Sequence, residues 1–317
     1  MTFKRIICFF CIMVVLEIGS MLSIAVWMHH DEGGAVQAES AHEDRSGAME
    51  EKCAPSARDA ADLSRNIERI LGADSSRYAI YFWRPAEEEE PFIYQNRPMS
   101  PASMVKVFVM AAAMQEVHDG RLSLDEKLVI READVVGGAG VITWYNIGEA
   151  RSVRELVSGM ITNSDNTATN MLIDRLGMDK INRDIAAHGY GDTKLVHKMM
   201  IGNGGRKNFS SVRDLGKLFS RLYYHQLVGE NEDRFMELVL SGQKDKECFN
   251  AALPDFNIAH KTGEVTGLYD DGGIFFGKQG DFVLVIMDEG ITSRGDTIEA
   301  MKNLTRYFAS TLKKKKK

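Results

Sequence analysis

Apolar residues follow three different patterns along this chain. From Ile6 to Met28 they form one run of 23 residues, interrupted by Glu17, Gly19 and Ser20. Shorter continuous runs occur near both ends of the remaining chain. Tyr78 to Trp83 reads as a strand, and Pro91 to Tyr94 as the start of its partner. Ile258 to Val265, Gly272 to Phe276 and Phe282 to Met287 read as three more strands. Between these groups the spacing is helical, which predicts helices over 104–118, 153–162, 167–176, 180–188, 212–224 and 233–240. Two further amphipathic helices flank the whole. One spans 57–71, with Leu63, Ile67, Ile70 and Leu71 on one face; the other spans 296–312, with Ile298, Met301, Leu304, Tyr307 and Phe308.

Strands at both ends and helices in the middle predict an α+β sandwich. One antiparallel sheet is built from both chain ends, and an all-helical subdomain is inserted between them. The folded domain is expected over 57–312, after a flexible tether over 29–56 that is poor in large apolar residues. Lys313 to Lys317 forms a charged tail, read as solvated or in contact with an anionic surface.

The first run has the length of a membrane span, with Lys4 and Arg5 before it and Asp31 and Glu32 after it, an order that suits export of the domain. Glu17 counts against a span, since a mid-membrane carboxylate costs about 2.5–3.5 kcal/mol. A cleaved signal peptide over residues 1–28 is the competing reading. Either way the domain is expected to be extracytoplasmic, tethered to the membrane through residues 6–28 or secreted. The net charge of −6 argues against a nucleic-acid partner. Cys53 and Cys248 could pair after export. No zinc-ligand spacing is present, so neither a metal nor another cofactor is expected, and the domain is read as a monomer.

The candidate chemistry lies in three short motifs. Ser103-Met-Val-Lys106 places a hydroxyl and an amine at i and i+3, on one face of a helix start. A serine is a weak nucleophile until a base takes its proton, and a buried lysine can be that base. The S-x-x-K pattern also occurs at Ser241 and Ser310, so alone it is weak. Only the copy at Ser103 is followed by Ser164-Asp165-Asn166 and then Lys261-Thr262-Gly263, each found once. Taken singly, the second motif could be a helix cap and the third a strand end. A P-loop-like Gly272-x4-Gly277-Lys278 fails, because Gln279 stands where Ser or Thr is needed.

Together, in this order, the three motifs resemble those of class A β-lactamases and penicillin-binding proteins. The resemblance implies that fold over roughly 57–312 and carries over roles. Ser103 is acylated, Lys106 helps deprotonate it, and Ser164 relays a proton to the leaving nitrogen. Lys261 holds Ser164 and a substrate carboxylate, and Thr262 bonds that carboxylate. Asn166 bonds the substrate amide, and Gly263 lets the ligand approach closely. The backbone N–H groups of Ser103 and Glu264 form the oxyanion hole. The implied partner is a small β-lactam or a D-alanyl peptide.

One element of the resemblance is missing. Class A enzymes activate the deacylating water with a glutamate on a loop after the second motif. From Thr193 to Arg213 there is no Asp or Glu, and Gly202, Gly204 and Gly205 suggest a mobile segment. Glu132 or Asp134 could substitute only by folding back. Three functions stay open: a β-lactamase-like hydrolase that turns over slowly, a D-alanyl peptidase or esterase, and a penicillin-binding sensor.

Overall fold

A computed structural model describes residues 57–87, 90–202 and 204–312. The apolar run 6–28, the whole tether with Cys53, and the lysine tail lie outside the described residues. Among the described residues no helix is long and apolar enough to cross a membrane.

Helix α1 (Ala57–Leu71) leads into strand β1 (Ala79–Trp83) and strand β2 (Phe92–Tyr94). The helical block comes next: α2 (Lys106–His118), α3 (Val153–Thr162), α4 (Asn166–Leu176), α5 (Met178–Ala187), α6 (Val212–Tyr223) and α7 (Glu230–Ser241). A short α8 (Phe249–Ala252) precedes β5 (Asn257–Val265), β6 (Leu268–Phe276), β7 (Phe282–Met287) and the final α9 (Arg294–Ser310). A small hairpin, β3 (Lys127–Val129) with β4 (Ala150–Ser152), lies apart from the main sheet.

The main sheet has the order β2-β1-β7-β6-β5, and every neighbouring pair is antiparallel. Strand β1, from the front of the chain, pairs with β7 from the back, Ile80 facing Ile286. The sheet is therefore closed by both chain ends, as the hydrophobic pattern predicted. Side chains alternate across it. Ile80, Phe82, Leu284 and Ile286 face the flanking helices, where Ile298, Met301, Leu304 and Phe308 of α9 are buried. Ala79, Tyr81, Val283 and Val285 face the helical block. Fully burying one such large apolar side chain contributes about 1.5–3 kcal/mol.

Three differences from the sequence reading have physical causes. Helix α7 starts at Glu230, ahead of the expected Asp233, with Glu230, Glu232 and Asp233 in its first turn, where acids favour the helix dipole. Strand β6 starts at Leu268 rather than Gly272, because Asp270 and Asp271, poor strand formers, are fully buried within it. The β3–β4 hairpin carries no alternation to reveal it, since its residues are exposed or half-buried.

Candidate active site

Ser103 does not open α2 directly. It lies in a 3-10 turn, Ala102–Val105, and Lys106 begins the α-helix. The turn is tight: the Met104 amide donates to the Pro101 carbonyl at 2.7 Å, and Ala102 adopts a positive φ of 40°. Such a backbone is strained for a residue with a Cβ and is held by its surroundings. Gly263 is part of that support. A Cβ there would stand 2.7 Å from the Pro101 carbonyl oxygen and 3.3 Å from the Met104 nitrogen. The glycine is thus required by the serine turn packing on β5, whereas the sequence reading had reserved that space for ligand. The same contact brings the Ser103 turn beside Glu264, the next residue on β5.

Lys106 is fully buried, and its three donors all reach the second motif. Its Nζ donates to the Ser164 carbonyl at 2.6 Å, to Ser164 Oγ at 3.1 Å and to Asn166 Oδ1 at 2.8 Å. Burial and the nearby positive charge of Lys261 hold this amine well below the usual lysine range, against the opposing charge of Asp165. Ser164 stands at φ 54°, which turns it out of the α3–α4 junction.

Asp165, given no role by the sequence reading, organises this junction. One carboxylate oxygen caps α4 through the Ala168 amide at 2.9 Å. The other accepts the Val141 and Ile142 amides at 2.7 and 2.8 Å. Gly140 is pressed against it, since a Cβ there would lie 2.5 Å from the Asp165 carboxyl carbon. Asn166 is also bound by the protein: its Nδ2 donates to the Gly137 carbonyl at 3.0 Å, and its amide to the Ala139 carbonyl at 3.0 Å. The expected helix cap and the expected chemistry are therefore properties of one tripeptide. The only sequence signal for the Asp165 role was its preference for N-caps.

Lys261 reaches the same hydroxyl from β5. It is fully buried, with Nζ 3.2 Å from Ser164 Oγ and 2.8 Å from the Thr262 carbonyl. Burial lowers it to about 8, with Asp271 and Asp245 opposing. Thr262 is buried on the other face of the strand. The Glu264 carboxylate is turned to Arg294, whose Nε lies 2.7 Å away; Arg294 also bonds Glu247 at 2.7 Å.

The flanks of the segment expected to carry a deacylating base are tied down by hydrogen bonds. Lys194 bridges Phe209, and Asn208 Oδ1 accepts the Val196 and His197 amides. Asn170 exchanges two hydrogen bonds with the backbone of Met199, at 2.8 and 3.0 Å. His197 Nδ1 is engaged with the Lys198 carbonyl. Asp134 is committed elsewhere. Burial raises its carboxyl, but hydrogen bonds from the Arg131 side chain and amide outweigh that and hold it below the usual carboxylate range.

This arrangement can move protons. A neutral Lys106 keeps two donors and gains a lone pair, while a charged Lys261 keeps Ser164 oriented. Serine, amine and hydroxyl then form the parts of an acyl-transfer site.

A model of the beta-lactamase enzyme family matches residues 62–311. A β-lactamase of Streptomyces fradiae is 28% identical over 186 residues, which cover 55% of this chain and 60% of that relative. A solved β-lactamase of Sphaerobacter thermophilus superposes with a TM-score of 0.72 at 26% identity, covering 78% of this chain and 95% of that one. A PBP-A mutant, solved as an acyl-enzyme complex with penicillin G, gives a TM-score of 0.71 at 23% identity, with 79% and 96% covered.

Proposed function

The chain belongs to the beta-lactamase enzyme family, and from that premise we propose that it is a serine hydrolase acylated on Ser103 by β-lactams, which it then releases slowly. The observation that carries this reading is the clasp of two buried lysines on the Ser164 hydroxyl. In the proposed acylation, Lys106 in its neutral form takes the Ser103 proton, and Ser103 Oγ attacks the lactam carbonyl. Ser164 passes a proton to the departing nitrogen. The Ser103 and Glu264 amides receive the oxyanion, and Asn166 and Lys261 orient the substrate; Thr262, on the other face of β5, is not placed for the carboxylate contact expected of it.

Slow release is a consequence of the loop. Hydrolysis of the acyl-serine needs a water with a base within roughly 2.6–3.2 Å, and such help is typically worth about 10²–10⁴-fold. Residues 193–213 hold no carboxylate, and the backbone of Met199 is clamped by Asn170. Stopped-flow mixing with a chromogenic β-lactam should give a burst near one equivalent, then a much slower steady state. A linear trace without a burst would contradict slow release.

The same loop also favours a second reading, a D-alanyl peptidase or esterase. A small ester leaves more room for water at Ser103 than an opened bicyclic lactam does. Side-by-side turnover of a β-lactam and a D-alanyl-D-alanine peptide separates the two. In both readings the domain works outside the cytoplasm, carried there by the apolar run 6–28.

A further inference from the structure

Strand β5 ends at the residue that carries one of the two proposed oxyanion amides. Along it, Lys261 and Gly263 face the serine turn, and His260, Thr262 and Glu264 face the other way. Glu264 stands opposite Tyr269 of β6, and one further pair, Val265 with Leu268, precedes the turn. Glu264, Val265 and Thr266 are exposed. Exposed strand ends are where a ladder opens first, yet an oxyanion donor has to be held in place before the charge arrives.

Arg294, the first residue of α9, closes over this end. Its Nε and Nη2 donate to the two Glu264 carboxylate oxygens at 2.7 and 3.1 Å, and its Nη1 donates to Glu247 at 2.7 Å. Its guanidinium lies over the Tyr269 ring, 5.4 Å from the centroid, and the Tyr269 hydroxyl donates to Asp245 at 3.1 Å. Just before α9, the Gly290 and Ile291 amides donate to the Gly267 carbonyl at 2.8 and 3.0 Å, which ties down the β5–β6 turn from the same side. Most exposed ion pairs contribute little, but a two-bonded fork set in a network is the exception. A cation in the first turn also opposes the helix dipole, so α9 itself disfavours an arginine there.

We infer that Arg294 is a positioning residue for acylation: through the Glu264 carboxylate it fixes the end of β5, so that the Glu264 N–H stays aimed at the developing oxyanion. The inference rests on the serine chemistry proposed above. On the near face of the strand, Gly263 seats the Ser103 turn. On the far face, Arg294 restrains the next residue. Both oxyanion amides are thereby set from one strand end. An oxyanion contact strengthens as the carbonyl is attacked, so loosening it slows acylation without weakening substrate binding.

The test compares the full chain with Arg294→Ala, Glu264→Ala and the double variant in two readouts. Without substrate, the 15N order parameter of the residue 264 amide is measured by NMR. It should be that of rigid backbone, about 0.85, in the unaltered chain and fall toward the flexible range, below about 0.6, in Arg294→Ala. With penicillin, the burst rate is followed against concentration. Its limiting value should fall about tenfold in each single variant, a part of the roughly 10²–10³ that complete loss of an oxyanion donor costs. The double variant should fall no further, since both changes break one link, and the half-saturating concentration should not move. A rigid amide in folded Arg294→Ala overturns the inference. An unchanged limiting rate with a raised half-saturating concentration also overturns it, because Arg294 would then bind substrate; so do losses that multiply in the double variant. Glu264→Gln, which leaves α9 unaltered and weakens the fork, carries the same two readouts if Arg294→Ala does not fold. The expected fall in the order parameter in a protein that no β-lactam acylates would fault the functional reading alone.

Discussion

Lys106 and Lys261 converge on one oxygen, their Nζ atoms 3.1 and 3.2 Å from the Ser164 hydroxyl. They come from the start of a helix and from a strand, 155 residues apart in sequence. Two ammonium groups held this close repel each other, which favours a neutral Lys106 beside a charged Lys261.

That asymmetry predicts a bell-shaped pH profile for acylation. The rate should rise as Lys106 loses its proton, at a pH well below the usual lysine range. It should fall again above about 8, as Lys261 loses its own. Lys261→Arg should remove the alkaline fall, since arginine stays charged. Burst rates measured from pH 5 to 10 check this, and an alkaline limb that persists in Lys261→Arg assigns it to another group.

Charge at position 261 should matter more than shape. Lys261→Ala should slow acylation by roughly 10²-fold or more, in keeping with the loss of a preorganised electrostatic contact. Lys261→Arg should retain substantially more activity, though not all of it. Equal losses in the two variants would remove charge from the account.

Gly263→Ala tests the seating of the nucleophile. The added Cβ would lie 2.7 Å from the Pro101 carbonyl oxygen, so the Ser103 turn must shift. Overpacking of this kind costs about 1–3 kcal/mol. The burst rate should drop more than tenfold while the far-UV spectrum stays native. A native burst rate would mean that the turn can move without consequence.

Asp165→Ala should weaken the fold and the site together. It removes an N-cap worth about 1 kcal/mol and the acceptor for two loop amides. A loss of about 2 kcal/mol in urea unfolding is expected, whereas Asp165→Asn, which keeps an acceptor, should lose less. A neutral alanine variant would show that water replaces these bonds.

Most of this architecture was legible from residue order. The apolar runs around Ala79–Trp83 and Phe282–Met287 gave two strands that pair across the whole domain, because a six-residue apolar stretch at each end has nowhere else to bury. The three motifs were legible as a set. What the sequence concealed depends on packing. Asp271 reads as a strand breaker until His260 is placed beside it. Gly263 reads as room for ligand until Pro101 fills that room. Asp165 reads as an ordinary cap because nothing in its neighbours reveals that the 137–142 loop folds back onto it.

A long-lived acyl group on Ser103 can be weighed directly by intact-mass spectrometry of the full chain after mixing with penicillin. One added drug mass is expected on the unaltered protein within seconds, decaying over many minutes, and none on Ser103→Ala. An unmodified mass at the earliest time with the drug unhydrolysed, or the same adduct on Ser103→Ala, would contradict it.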